Sequence, residues 1–348
     1  MRAVTRILKG IAIGLLALAL VLVAPVIYVE TLCRGDATPA PATPLVSETR
    51  PEIRTLLTYP EWHIVHAYDD YAEVIGTDDP HDFNYTRAVL GYWDALCTLT
   101  TEAAALGEID TQTRQLVHVI GVSFTFEMMM KAAYEETLGR LTTLIRGPAR
   151  APLDALAAEQ AATYAAFLQQ VPWYRYDFRA DAQALRDQAT GIFRDRERAV
   201  ALGLEHAARA RYAALIADAV AATGHDDLTL NMVVRGLPPE TLAQAEGVRI
   251  IAETAAGTEI ETPRYRALTR LMADWADQGA QFVDIAGNDE IMFTALSDDP
   301  EHPDALASLP RQGYDDTRHL FLVPVPELAR ALRGLPERGL RLEHIHDY

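Results

Sequence analysis

The segment EWHIVHAYDDYAE places two imidazoles and four carboxylates within thirteen residues. On a helix, His66, Asp70 and Glu73 fall at i, i+4 and i+7 on one face, with His63 at its edge. Imidazole and carboxylate donors so spaced suit zinc, iron or manganese, so His63, His66, Asp70 and Glu73 form a candidate metal set. The same spacing lets Asp70 orient His66 as a general base. The competing reading is a helix with a polar face toward solvent and Trp62, Ile64, Val65 and Tyr68 in the core.

A second candidate lies in the apolar stretch VSFTFEMMMKAAY, which contains Glu127 and Lys131. The chain uses 29 arginines and only two lysines, so a lysine retained here points to a need for a compact ammonium. Lys131 would serve as base, Schiff-base amine or anion clamp. Glu127, Lys131 and Glu135 at i, i+4 and i+8 equally suit an ion-paired stripe joining two helices. His66, Asp70, Glu127 and Lys131 together make a candidate catalytic set between the first and third helices of a bundle. A divalent metal is the cofactor such a set would take, and its identity is left open. His118 reads as a hydrogen-bonded core residue, and Met128 to Met130 as packing.

The third candidate is the C-terminal EHIHDY. On a strand, His344 and His346 project from one face, a metal-ligand geometry or the polar face of an edge strand. There is no Walker loop, no Gly-x-Gly-x-x-Gly after a strand, no Gly-x-Ser-x-Gly and no His-Glu-x-x-His.

The elements that must position these residues begin with an anchor. Arg2, Arg6 and Lys9 precede an uncharged apolar run from Gly10 to Val29. Twenty residues span roughly the 30 Å hydrocarbon core of a bilayer. Cations before the run predict a cytoplasmic N-terminus, with the bulk of the chain in a bacterial periplasm. The run is too long for an ordinary cleaved leader, and Ala40-Pro41-Ala42 is the nearest cleavage-like site. Beyond the anchor the chain carries 28 cations against 49 acids, a net of −21. Such a surface repels nucleic acid. Cys33 and Cys97 either pair, as an oxidising compartment would permit, or remain thiols.

The expected fold class is α+β: an N-terminal transmembrane helix, a large helical bundle, then a smaller α+β sandwich with a mixed sheet. The divisions are a cytoplasmic tail (1–9), the span (10–29), a Pro/Ala-rich linker (30–51) containing DATPAPATP, a helical domain (52–225) and an α+β domain (226–348). Helices are expected over about 58–75, 80–105, 110–145, 152–169 and 181–222. Residues 281–285 and 290–296 read as a hairpin, and 319–346 as a β-α-β unit. The loop bearing Trp173, Tyr174, Arg175 and Tyr176 is a candidate contact for the membrane or a membrane partner, or packs on the bundle. The expected function is a single-span, periplasm-facing protein that binds or scaffolds a membrane partner or lipid. The alternative is the metal-dependent enzyme outlined above.

The blocks TYPEWHIVHAYDDYAEVI, FVDIAGNDEI and LRLEHIHDY resemble a group of bacterial membrane-anchored proteins of unknown function. The resemblance spans nearly the whole chain. It implies membrane attachment but no activity, and carries over no catalytic residue.

Overall fold

The computed structural model describes residues 2–35, 44–49, 55–106, 109–223 and 228–346. The centre of the spacer (36–43), the junction between helical and sheet regions (224–227), and Asp347 and Tyr348 lie outside the described residues.

Helix α1 (Arg2–Leu32) contains the apolar run, with Pro25 inside it. Its last turns are built into the bundle. Val29 and Cys33 are buried, Cys33 is disulfide-bonded to Cys97, and Glu30 meets His118 at 2.8 Å and Arg114 at 3.3 Å. The two cysteines are therefore a staple rather than free thiols.

Helix α2 (Tyr59–Thr77) follows a short 3-10 turn, with Pro60 setting its first turn. Twelve of its 19 residues are buried, because it packs on neighbours on several sides. Those neighbours include α3 (Tyr85–Leu106), α4 (Thr111–Tyr134) and α6 (Pro152–Leu168). A π turn, Glu135–Gly139, joins α4 to α5 (Arg140–Arg146). The single helix expected over 181–222 is two, α7 (Phe178–Gln188) and α8 (Phe193–Thr223). The break contains Thr190 and Gly191, and buried Asp195 satisfies it by accepting from the Thr190 and Leu153 amides.

The C-terminal region is a structural duplication. Strands β1 (Thr229–Arg235), β2 (Arg249–Thr254), β3 (Gly257–Pro263) and β4 (Gln281–Ile285) form one sheet, ordered β2-β3-β1-β4. Strands β5 (Glu290–Ser297), β6 (Ala307–Pro310), β7 (Thr317–Pro324) and β8 (Arg341–Ile345) repeat that order as β6-β7-β5-β8. Four-residue α9 (Pro239–Leu242) follows β1, and each last strand follows a helix, α10 (Tyr265–Asp277) or α11 (Val325–Arg333). Between helix and strand, Gly279 and Gly339 both take positive φ.

Every strand pairing among the described residues is antiparallel, which corrects the expected mixed sheet. β7 and β8 do run parallel to each other, but β5 lies between them and pairs with both. The expected hairpin at 281–296 is also corrected. Ala286 and Gly287 take positive φ in a tight turn that carries the chain from β4 in one sheet to β5 in the other.

Candidate functional site

Helix α2 and strand β8 bring together two groups that look unrelated in the sequence. Glu343 is the extra residue of a β-bulge, left between the pairs Thr294–His344 and Ala295–Leu342. A bulge re-aims the side chains around it. His66 Nδ1 stands 3.7 Å from Glu343 Oε1. Glu343 also accepts two bonds from Arg318, at 2.6 and 2.7 Å. The Trp62 ring stacks on His344 at 3.4 Å and meets His346 edge-on. The Tyr59 ring lies 5.5 Å from that of His346. His344 and His346 do share a face, their rings 5.0 Å apart.

All of these side chains are buried or nearly so, and burial governs their protonation. It holds His66 well below the usual imidazole range, aided by Arg318 and the neighbouring histidines. It pushes His344 down to about 3, while Thr269 Oγ1 lies 3.0 Å from Nδ1. Glu343 moves the other way. Burial would raise it, but the Arg318 guanidinium outweighs that and holds it below the usual carboxylate range.

The four proposed metal ligands diverge. His63 turns toward α3, where its Nε2–H donates to the Ala88 carbonyl at 2.9 Å. Burial pushes it down to about 4. His66 faces Glu343. Asp70 Oδ2 accepts from the Gln312 amide at 3.0 Å, and its other oxygen lies 3.8 Å from Arg311. Burial pushes Asp70 up to about 6. Glu73 backs against Gly313, where a Cβ would stand 2.9 Å from its Cγ. A metal needs donors near 2.0–2.2 Å from one centre. Among the described residues, only Asp79, His81 and Asp82 bring three donor atoms within 4.8 Å of one another. Asp79 is already held by Arg146 at 2.8 and 2.9 Å, and Asp82 closes a capping box. The geometry of His63, His66, Asp70 and Glu73 does not fit a shared ion.

Glu127 and Lys131, on α4, meet a different face of α2, the one bearing Tyr68 and Tyr71. Tyr68 donates to Glu127 Oε1 at 2.5 Å. Tyr68 is two residues from both His66 and Asp70, so it leaves the helix about 160–200° away from them. Arg209 of α8 bonds both Tyr68 and Glu127. Lys131 pairs with Glu205 at 3.0 Å and sits over the Tyr71 ring. Burial opposes the charge on Lys131, but the Glu205 carboxylate and the Tyr71 ring outweigh it and hold the ammonium above its usual range, which suits neither a base nor a Schiff-base amine. Glu205 itself is pushed down to about 2, because Lys131 and Arg209 outweigh its burial. The cavity beside them, lined by Tyr68, Tyr71, Lys131, Glu205, His206 and Arg209, holds ≈ 50 Å³. That is room for a water or two, against the hundreds of Å³ of a ligand pocket.

The pairing continues along α8. Arg198 bonds Glu135 at 2.8 and 3.1 Å, while Arg194 bonds Asp154 at 2.8 Å and Thr142 at 2.7 Å. Both arginines are 1% exposed. This is the ion-paired stripe that the spacing of Glu127, Lys131 and Glu135 allowed. His118 is hydrogen-bonded as expected, to Glu30.

The aromatic loop packs on the bundle. Trp173 lies on Tyr212 of α8, and Tyr176 on Tyr164, Phe167 and Phe178. Tyr174 is half-buried, and Arg175 is the exposed member of the four.

One feature has no counterpart in the sequence reading. While charges fill the α4–α8 seam, large apolar side chains point outward: Leu116, Val119, Phe126 and Met130 on α4, Leu141, Leu144 and Ile145 on α5, and Phe193, Val200, Leu204 and Leu215 on α8. The stretch Thr111–Arg146 is long and apolar enough to be a second candidate span, and only 28% of its most apolar 18-residue window is buried. The signal was there to find: Glu127 and Lys131 interrupt an apolar helix, and their inward pairing requires the apolar residues to face out.

Comparison with known proteins finds no matching family, no matching curated sequence and no matching solved structure.

Proposed function

We propose that this is a single-span, membrane-anchored protein whose folded part lies outside the cytoplasm, where it binds or scaffolds a membrane partner or lipid. The observation that carries this reading is the junction between anchor and bundle. A flexible tether would leave the end of the span free. Here Cys33 is cross-linked to Cys97, and Glu30 is gripped by Arg114 and His118. The bundle is thus fixed against the anchor's exit, and the disulfide fits an oxidising compartment. The seam and its small cavity support cohesion of the helices rather than substrate binding.

Native mass spectrometry of the full-length protein, gently extracted in detergent, tests this reading. The expected spectrum shows retained phospholipid or a partner protein and no stoichiometric metal. A metal adduct lost in His66→Ala would instead support the metal-dependent enzyme.

A further inference from the structure

We propose that the outer face of α4–α5 and α8 lies in the outer leaflet of the bilayer that α1 crosses, its apolar side chains among the lipid acyl chains. This rests on the anchored reading above and names lipid as what the bundle binds.

A charged seam joins α4–α5 to α8. Glu127 pairs with Arg209, Lys131 with Glu205, Glu135 with Arg198, and Thr142 with Arg194, so the two helices run antiparallel. A helix turns about 100° per residue. In an antiparallel pair, the residues one position before the seam residues therefore turn to the same side. On α4–α5 those include Phe126, Met130 and Leu141; on α8 they include Phe193, Leu204 and Ala208. All six are exposed. Met130 is 57% exposed and Leu204 68%. The two stripes thus flank one seam and form one apolar face. From Leu116 to Ala133 every exposed position of α4 is uncharged: Leu116, Val119, Ser123, Phe126, Met130 and Ala133. Their reach is about 26 Å at 1.5 Å per residue.

Three observations favour lipid. The first is continuity with the anchor: Glu30, just past the span, is bound by Arg114 and His118 in the first turns of α4, so α4 begins at the membrane boundary. The second is charge. The chain carries −18 overall, yet the exposed charges on α4, α5, α8 and the π turn are Arg114, Arg140, Arg196 and Arg211 against Glu136 and Asp218. Cations flanking an apolar helix face suit anionic headgroups. The third is the inverted burial, with paired charges inside and apolar side chains outside, which water alone would disfavour. The reverse sides of α4 and α8 pack on α3 and α7, so lipid can meet one side only. The pair therefore lies on the bilayer, about 5–10 Å deep, rather than crossing it.

The test uses full-length protein in vesicles of phosphatidylethanolamine and phosphatidylglycerol. Single cysteines at Phe126, Met130 and Leu204 carry nitroxide labels, with Gln244 on the sheet region as the water-exposed control. The expected result is oxygen accessibility several-fold above that of a water-soluble nickel chelate at the three face positions, and the reverse at Gln244. Equal, nickel-rich accessibility at all four positions overturns the proposal. So does protection from both reagents with label–label broadening, which would mark an interface between copies. Alkaline extraction of the same samples separates the two claims. Protein retained in the pellet with a wet face leaves the anchor intact and this proposal refuted, whereas protein released by alkali refutes the anchor itself.

Discussion

His66 on α2 and Glu343 on β8 approach within 3.7 Å, and through this contact the helical bundle meets the second sheet. Glu343 is also the carboxylate partner of buried Arg318. Removing one member of a buried pair strands the other's charge, at about 3–5 kcal/mol. Glu343→Gln should therefore lower the unfolding free energy of the detergent-solubilised protein by about that amount. Arg318→Met in the same chain should recover part of the loss. A change below about 1 kcal/mol in denaturant titrations would show that the pair is not buried as described.

Asp70 should oppose stability at neutral pH. Burial raises it from 3.8 to about 6 in the folded protein. The folded state then binds more protons between those values, so stability falls as pH rises through this window. Two pKa units correspond to about 3 kcal/mol. Asp70→Asn should gain about 2 kcal/mol at pH 7 and none at pH 3.5. Equal effects at both pH values would exclude the titration.

The buried histidines act in the opposite sense. His63 is held at about 4 and His344 at about 3, both by burial. Below pH 6.5 the unfolded chain takes up these protons and the folded chain does not, so stability is lost from pH 6.5 downward. Each contributes a few kcal/mol once the pH reaches its folded value. His344→Gln should flatten the decline in thermal midpoint between pH 6.5 and 4.5. An unchanged slope would contradict this.

The staple makes a further prediction. Closing a loop of sequence separation 64 restricts the unfolded chain. The chain-entropy relation gives about 4 kcal/mol for that loop. Cys33→Ser with Cys97→Ser should cost stability of this order in denaturant titrations. Thiol alkylation of the native protein should find no free thiol before reduction and two after it.

Much of the architecture was readable because it is written in periodicity and punctuation. Pro60 and Pro152 marked helix starts and the apolar run to Val29 marked α1, whereas Pro80 opens only a 3-10 turn and the helix expected from it begins at Tyr85. What was not readable depends on long-range pairing. Nothing local to His66 announces Glu343, and nothing local to Glu343 announces the bulge that turns it toward α2. The duplication of the two sheets is likewise carried by topology rather than by repeated residues. The metal set failed for a related reason. A shared helical face fixes where side chains leave the backbone, but His63 found the Ala88 carbonyl and Asp70 found the Gln312 amide. For Glu127 and Lys131 the i, i+4 spacing did foretell an ion-paired stripe, and the partners on α8 completed it.

The proposed topology has α1 crossing a membrane with the folded part outside. Fusing after Tyr348 a phosphatase active only outside the cytoplasm, and separately a fluorescent protein that matures only inside, tests it most directly. An active phosphatase and a dark fluorescent protein are expected. A fluorescent fusion with an inactive phosphatase would place the bundle in the cytoplasm and contradict it.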